Sequence, residues 1–323
     1  MRMNVWMRPL PAVTLIAASL ACGGGGTERT FINVGTAPPG GAFFVVGTAL
    51  TEVLGAASGE RQWQVTAEGT SGSQENIRRL TQGDLDFALS NSAITYFAVR
   101  GGEGWDRQYP MQTVMTLAPN VALFITKANS GVRTIADLKG KRVVIGPAGA
   151  GFEYFVKPIL DAHGVRYEDF TALNASQAAA VDMLTDGSAA AVFIGGAIPT
   201  ASITQAAATM DLHFIPFDEA ARAKLSADFL FFSPATIPAE TYRGQSAEFA
   251  GLDVGSMHLI TAANQDEQLV YDVTKMLWEQ REQVVQKHPA GRAINPKNVI
   301  RDTGTPFHPG AIRFYREIGI WTR

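Results

Sequence analysis

One pattern of apolar and polar positions occurs twice along the chain, at residues 31–44 and again at 142–155. In each copy a short apolar run ends in a loop rich in glycine and proline, and helical spacing of apolar residues follows. An apolar run bounded by such a loop predicts a strand, and spacing of three and four residues predicts a helix. Each stretch therefore predicts a strand, a tight loop and a helix.

The residues after the first loop predict a parallel sheet covered by helices. Strands are expected near 63–67 and 85–89, and a helix at 74–80 lies between them. The order β-α-β-α-β is typical of a parallel α/β sheet. A second copy of this order ends in a strand at 190–194, so the chain is expected to form two similar lobes.

Two continuous apolar strands, at 120–126 and 256–261, are the natural crossings between these lobes. If the chain returns to the first lobe at the second crossing, the amphipathic helix predicted at 265–286 packs there. Two crossings joining two lobes make a hinged clamshell. The expected boundaries are 31–122 plus 258–323 for the first lobe and 123–257 for the second.

Composition, charge and missing motifs argue against several classes of function. The 323 residues are 46% hydrophobic and 18% charged, which is ordinary for soluble globular domains. The net charge of −3 gives no reason to expect a nucleic-acid partner. Five scattered histidines and one cysteine predict no zinc site, and neither glycine loop continues into the Lys-Ser/Thr of a P-loop. We therefore expect no metal, no cofactor and no catalytic residues.

The N-terminus predicts export. Residues 1–21 combine two arginines with an apolar run and a small-residue end, as in a signal peptide. Cys22 follows Ser19-Leu-Ala and precedes four glycines, which resembles a lipoprotein processing site. Lipidation of Cys22, with 22–30 as a flexible tether, and plain cleavage beside an incidental cysteine are the two alternatives. In both alternatives the protein is expected outside the cytoplasmic membrane, and in the first it is also lipid-anchored.

The candidate ligand site follows from the predicted topology. In open α/β sheets ligands bind beyond the carboxyl ends of the strands, where both glycine loops should face a cleft. A strand that enters a helix through such a loop leaves N–H groups and the positive end of the helix dipole free for an anion. The candidate ligand-binding residues are Gly35, Thr36, Gly40, Gly41, Phe43, Thr70, Ser71, Ser73, Asn76, Ser90, Asn91, Tyr96, Gly149, Gly151, Phe152, Glu153 and Gly195.

Each type of residue in this set also has a structural explanation. Glycine is needed for a tight turn whether or not a ligand approaches. One of the hydroxyls near Ser71 can cap the following helix, and Ser71 with Gln74 resembles a capping box. Aromatic residues near loops often belong to the core. Glu153 can meet a ligand amine or stabilise the start of its own helix.

Several motifs together resemble the TAXI family, the extracytoplasmic solute receptors of one branch of tripartite ATP-independent (TRAP) transporters. The resemblance covers residue 31 to the C-terminus and rests on the segments 35–41, 70–77, 83–92, 135–143, 146–151 and 307–313. It implies a periplasmic-binding-protein-like (type II) fold. It also implies capture of an amino acid or small carboxylate and its delivery to a membrane permease driven by an ion gradient.

Three other functions remain open on the residues alone. The protein can serve an ATP-driven importer instead of a TRAP permease. It can also be an exported enzyme on the same fold, or a sensor subunit that reports its ligand to a membrane kinase. The absence of a recognisable nucleophile and base favours binding over reaction, although catalytic groups can assemble from distant positions.

Overall fold

The computed structural model describes residues 30–39, 41–102 and 104–322. The predicted signal peptide, Cys22 with the tether up to residue 29, and Gly40 lie outside the described residues. Within the described part, no helix is long and apolar enough to cross a membrane. The chain forms two lobes, each an open sheet covered by helices.

The first lobe is built on a five-stranded sheet of order β2-β1-β3-β12-β4. Its strands are β1 (Phe31–Gly35), β2 (Gln64–Glu68), β3 (Phe87–Asn91), β4 (Met111–Thr116) and β12 (Met257–Ala262). β1, β2 and β3 are parallel, as the β-α-β-α-β order predicts, and β12 runs antiparallel between β3 and β4. The late strand β12 therefore completes a sheet that the N-terminal segment begins.

Six helices pack around this sheet. They are α1 (Ala42–Ala57), α2 (Ser73–Gln82), α3 (Ser92–Arg100), α8 (Glu267–Glu279), α9 (Arg281–Lys287) and α10 (Pro309–Glu317). The apolar positions Val270, Val273 and Leu277 of α8 share one core with the first sheet, as the helical spacing predicted. The single helix expected at 265–286 is divided at Gln280, and the Arg281 side chain donates to the carbonyl of Trp278 (2.8 Å) at the break.

The second lobe is built on a sheet of order β10-β11-β5-β8-β6-β7, with β9 also paired to β5. Its strands are β5 (Val121–Lys127), β6 (Arg142–Gly146), β7 (Thr171–Asn174), β8 (Ala191–Gly196), β9 (Leu212–Ile215), β10 (Phe232–Ile237) and β11 (Phe249–Val254). Its helices are α4 (Glu153–Ala162), α5 (Gln177–Asp186), α6 (Ala201–Thr209) and α7 (Glu219–Asp228). Both faces of this sheet are covered by apolar side chains.

The chain passes between the two sheets twice, in short segments rather than within strands. The first crossing is 117–120, between β4 and β5, and the second is 255–256, between β11 and β12. The predicted lobe boundaries fall within two residues of these segments, inside β5 and at the start of β12, and they remain a prediction.

The start of α2 differs from the sequence prediction. The residue before the helix is Gly72, at φ +119°, and no side chain caps it. Instead the N–H of Ser71 donates to the carboxylate of Glu75 (2.8 Å). The capping box of Ser71 with Gln74 is therefore wrong, because the helix begins one residue later than that motif requires and Glu75 takes the reciprocal role.

An aromatic cluster joins the two lobes on the side of α3. Tyr96 and Phe97 of α3 lie 5.2 and 5.8 Å from Phe231, between ring centroids. Phe97 also stacks on Tyr154 of α4 at 5.5 Å. Pairs of this geometry add about 0.5–1.5 kcal/mol beyond their buried area. The structure therefore holds the lobes in contact.

Substitution of Gly255 tests how closely the second crossing packs against Asn91 and Ala93. At φ +109°, a side chain there is strained, and a Cβ would overlap the side-chain oxygen of Asn91 and lie 2.8 Å from the Ala93 nitrogen. Gly244 has φ +82° but open space around the same position. We expect Gly244→Ala to cost about 1–2 kcal/mol of unfolding free energy through backbone strain alone. Gly255→Ala should cost about 1–3 kcal/mol more through overpacking.

Urea denaturation of both variants measures how much more unfolding free energy is lost in Gly255→Ala than in Gly244→Ala. Equal losses for Gly255→Ala and Gly244→Ala would contradict close packing of the second crossing against Asn91.

Candidate functional site

The loop before α2 faces the second predicted glycine loop, at 146–151, across the boundary between the lobes. A Cβ on Gly72, before α2, would lie 3.6 Å from the Cβ of Ala150 in the loop after β6. The side-chain amide of Gln74 donates to the hydroxyl of Tyr154 (3.1 Å). These contacts place the carboxyl ends of the first lobe's strands opposite the loop of the second, where the topology predicts a ligand.

A small cavity lies between the lobes beside the two crossings. Its volume is about 10 Å³, which is room for about one water. It is lined by Ala42, Phe43, Val46, Ala118, Pro119, Asn120, Gly196, Ala197, Met257, His288 and Ala290. The lining includes the start of α1, the first crossing, the start of β12 and the end of β8. The lobes must therefore separate before a solute can enter here.

The N-terminus of α1 gives this cavity its chemistry. Gly41 precedes the helix in an extended conformation, no side chain caps the helix, and its first turn holds no acidic residue. The first N–H groups of a helix have no partner within it, and they carry the positive end of its dipole. Ala42 and Phe43, in this first turn, line the cavity. This end of the cavity can attract an anion.

Three predicted donors of the first lobe bond to backbone carbonyls of the same lobe instead. The Thr36 hydroxyl donates to the carbonyl of Glu68 (2.6 Å), and the Thr70 hydroxyl donates to that of Thr36 (3.1 Å). The Asn76 amide donates to the carbonyls of Thr36 (2.7 Å) and Leu89 (2.8 Å). The structure brings these side chains together, but their hydrogen bonds hold the loops after β1 and β2 to each other and to β3.

The predicted residues at the end of β3 connect α2, α3 and the second crossing. The N–H of Asn91 donates to the Ser73 hydroxyl (3.0 Å). The Asn91 side chain accepts from the N–H of Ala93 (2.8 Å), which caps α3, and donates to the carbonyl of Gly255 (2.7 Å). Ser90 shares a hydrogen bond with Thr95 (2.8 Å). Asn91 therefore closes the anion site that the N-terminus of α3 would otherwise offer.

The predicted glycines divide into two groups. A Cβ on Gly35 would lie 2.6 Å from the Asn76 side-chain oxygen, and one on Gly195 would lie 2.6 Å from the Cβ of Ala122. These two positions are restricted by packing within one lobe. Gly149 and Gly151 have φ of +73° and +89° in the loop that faces the first lobe, where any residue with a Cβ would be strained.

The remaining predicted residues are spread over different surroundings. Phe43 lines the small cavity. Tyr96 lies in the aromatic cluster, with the Arg100 guanidinium 3.6 Å from its ring centroid. Phe152 packs on Phe155 in the second lobe, at 5.1 Å between ring centroids. Burial raises the pKa of Tyr167 to about 12, and the charge of Glu153 adds to this rise.

A wider surface cleft of about 540 Å³ lies between α2 and the loop after β6. Ser71 and Gly149 line it, together with Arg78 and Arg79 of α2. Arg79 pairs with Glu68 (2.5 Å), and Arg78 lies over the ring of Trp105 at 5.3 Å. Glu75 and Asp84 also line the cleft, so its charge is mixed. This cleft leads along the boundary between the lobes.

A buried histidine that the sequence did not single out lies next to the second crossing. His258 on β12 is fully buried, and its Nε2 is hydrogen-bonded to Thr95 (2.8 Å). Its Nδ1 lies 3.4 Å from the Thr113 hydroxyl. Burial lowers the pKa of His258 to about 3, and the charge of Arg301 acts in the same direction. The only sequence signal was its position in an otherwise apolar central strand.

These features define the class of the protein: a two-lobed α/β fold of the periplasmic-binding-protein-like type, with facing loops and two crossings. The chain belongs to the NMT1-like family, whose profile matches residues 34–319. No group of three or more potential metal ligands occurs among the residues that the structure describes.

Solved structures share this fold at low sequence identity. The periplasmic aliphatic sulphonate binding protein SsuA of Escherichia coli is 15% identical, with a TM-score of 0.52 over 89% of this chain and 83% of that one. PhnD1 of Prochlorococcus marinus, in complex with methylphosphonate, is 10% identical, with a TM-score of 0.56 over 90% and 96%. A Xanthomonas citri protein bound to ATP is 9% identical, with a TM-score of 0.53 over 90% and 95%. The narrower resemblance to the TAXI family is not supported by these comparisons.

The buried state of His258 predicts a pH dependence of stability. The unfolded chain binds a proton near pKa 6.5, whereas the folded chain does so only near pKa 3. Stability due to His258 is therefore complete above pH 6.5 and falls as the pH drops towards 3. The loss is at most about 1.4 kcal/mol per pH unit.

Urea unfolding between pH 7 and 4.5 measures this slope. His258→Gln should flatten it, while His213→Gln, at a partly exposed position on β9, should leave it unchanged. The other histidines remain in both variants, so the difference isolates His258. An unaltered slope in His258→Gln would show that this histidine is not held neutral.

Proposed function

We propose that this protein is an extracytoplasmic receptor that captures a small anionic solute between its two lobes and delivers it to a membrane importer. The observation that carries the proposal is the uncapped N-terminus of α1, free of acidic residues, on the cavity between the lobes. Membership of the NMT1-like family and the binding-protein fold support the receptor class. The periplasmic neighbour supports a location outside the cytoplasmic membrane.

The solute would bind mainly through backbone groups. The first-turn N–H groups at Ala42 and Phe43 would hold its anionic end, and the loop at Gly196 and Ala197 would close over it from the second lobe. The hydroxyls of Thr36 and Thr70 are engaged within the first lobe. The other predicted contacts, including Gly149 and Gly151, remain part of the proposed site.

The chemical class of the solute is a small oxyanion. A helix N-terminus recognises phosphonate, sulphonate and carboxylate groups by the same N–H donors. Among the structural neighbours, SsuA is an aliphatic sulphonate binding protein and PhnD1 was solved with methylphosphonate. The candidate solutes for this protein therefore include sulphonates and phosphonates besides the carboxylate expected from sequence. A solute that is bound and released unchanged is the expected outcome, and its consumption would instead indicate an exported enzyme.

Two classes of membrane partner follow from different observations. The sequence motifs resemble those of receptors for TRAP permeases, which use an ion gradient. The comparisons favour the alternative of an ATP-driven importer, because they place the chain beside sulphonate- and phosphonate-binding proteins. The neighbouring genes separate these classes: a fused permease indicates the TRAP class, and an ATPase indicates the other. A lipid on Cys22 would keep the receptor near either partner.

A screen of thermal unfolding tests the receptor function. The purified protein would be heated with sulphonates, phosphonates, phosphate, dicarboxylates and amino acids, each tested separately. A solute at a hundred times its dissociation constant adds about 2.7 kcal/mol, which raises the midpoint by roughly 5 °C or more. We expect one oxyanion class to do so. If a neutral or cationic compound alone stabilises the protein, the proposed anion site is wrong.

A substitution at Ala42 tests the position of the site. Ala42 is exposed in the first turn of α1, so a carboxylate there interacts favourably with the helix dipole, by about 0.3–1 kcal/mol. The same carboxylate repels an anionic solute at this helix end. Ala42→Asp should therefore weaken solute binding at least about tenfold, a change of about 1.4 kcal/mol, without lowering the unfolding midpoint.

The matched control is Ala42→Asn, which has nearly the same shape without the charge and should bind nearly as well as the wild type. Calorimetric titration measures both variants. Wild-type affinity in Ala42→Asp would place the solute elsewhere in the cleft.

A further inference from the structure

A buried carboxylate lies where the two crossings meet. Asp253, near the end of β11, is 2% exposed. It accepts hydrogen bonds from the N–H of Asn120 (3.0 Å) and from the hydroxyl of Ser256 (2.5 Å). Asn120 belongs to the first crossing and Ser256 to the second. One side chain therefore ties together the two segments about which the lobes must turn.

Arg301 reaches this carboxylate from the first lobe. The hydroxyl of Thr116, on β4, donates to the carbonyl of Arg301 (3.0 Å), which anchors its backbone to the first sheet. Its guanidinium lies 3.2 Å from the Asp253 carboxylate and also donates to the Ser256 hydroxyl. A further contact joins it to the Ser233 hydroxyl on β10 of the second lobe (3.5 Å). The side chain of Arg301 thus spans from one lobe to the edge of the other lobe's sheet.

The contacts of Arg301 depend on the angle between the lobes, whereas those of Asp253 with the crossings do not. Asn120, Asp253 and Ser256 are close in the hinge itself. Arg301 and Ser233 are carried by different lobes, so rotation about the crossings changes the distance between them. Two nitrogens of one planar guanidinium meet Asp253, Ser256 and Ser233 together, and a planar group cannot keep all three contacts when the lobes rotate. The pair with Asp253 is therefore specific to the lobe arrangement seen in the structure.

The charge of Asp253 also depends on this partner. Burial raises the pKa of Asp253, and Arg301 opposes that rise together with the hydrogen bonds from Ser256 and Asn120. Removing one member of a buried pair leaves the other charge uncompensated, which is strongly unfavourable. Separation of the lobes carries the same penalty whenever it takes Arg301 away from Asp253.

We propose that Arg301 and Asp253 are positioning residues for solute capture, whose pairing across the hinge holds the lobes closed and sets the closed fraction of the solute-free protein. In its reference to solute capture, this inference rests on the proposed function. A solute that binds the closed form gains affinity in proportion to the closed fraction, so residues that never touch the solute change its dissociation constant. The hinge is contiguous with the site, because Asn120 and Met257 line the cavity.

The test measures lobe separation directly, without any solute. Spin labels at E60C in the first lobe and E219C in the second, with Cys22→Ser to remove the native thiol, report the distance distribution by pulsed electron resonance. We expect Arg301→Gln to shift or broaden this distribution towards longer distances. Arg301→Lys keeps the charge without the planar fork and should shift it less.

The matched control is Arg79→Gln, which breaks the pair with Glu68 inside the first lobe and should leave the distribution unchanged. If Arg301→Gln does not fold, Ser233→Ala removes only the contact on β10 and should still lengthen the distances slightly. Unchanged distributions in every folded hinge variant, or an equal shift in Arg79→Gln, would overturn the proposal.

Solute affinity gives a second and separate readout. Once the thermal screen provides a stabilising oxyanion, Arg301→Gln should bind it about fivefold to twentyfold more weakly. Unchanged affinity together with longer distances would overturn the link to capture. A screen that finds no solute rejects the proposed function, but the distances measured without solute still decide the role of the pair.

Discussion

The arrangement of the lobes depends on the buried carboxylate of Asp253. Two chain crossings bring their backbones together at one place, and a donor from each bonds to this side chain. A buried carboxylate is tolerated only when it is paired and hydrogen-bonded, so its donors must stay in place. This requirement fixes the geometry of the crossings, and the crossings in turn fix how the loops of one lobe meet those of the other.

In the first lobe, near Asp253 and the crossings, the polar side chains are used for hydrogen bonds within the protein rather than for binding a solute. Asn91 bonds to α3 and to the second crossing, while Thr36 and Asn76 brace the loop that leads into α1. These bonds hold the start of α1 in position. The group left available at the cavity is therefore the backbone of α1 itself, which carries a rigid and directional positive potential. Such a site recognises an anionic group well and leaves selectivity to the walls around it.

The same fold is shared with proteins that are only 9–15% identical to this chain. One of them is an aliphatic sulphonate binding protein, and the other two were solved with ATP and with methylphosphonate, so one fold accommodates different ligands and the loops determine which one binds. In this chain the two lobes are also joined by aromatic rings around Phe231 and by the Arg301 pair. Both are contacts between lobes, and both lie outside the cavity where the solute would bind. The residues that join the lobes and those that line the cavity are therefore different.

The sequence by itself determined the two strand–loop–helix units, the strands β1, β2, β3, β5, β6, β8 and β12, and the two-lobed class, because apolar runs and glycine loops are local patterns. It did not predict the strands β4, β7, β9, β10 and β11, whose pairing depends on distant partners.

Which polar groups face the cleft was decided only by tertiary structure. Asn91 meets Gly255 and Asp253 meets Arg301 across long separations in the chain, and His258 acquires its neutral state only from burial between strands. A hydroxyl or amide at the end of a strand can turn towards a ligand or towards a backbone carbonyl, and local sequence is the same in both cases. Long-range packing brings the backbone acceptor within reach, and this determines which way the side chain turns.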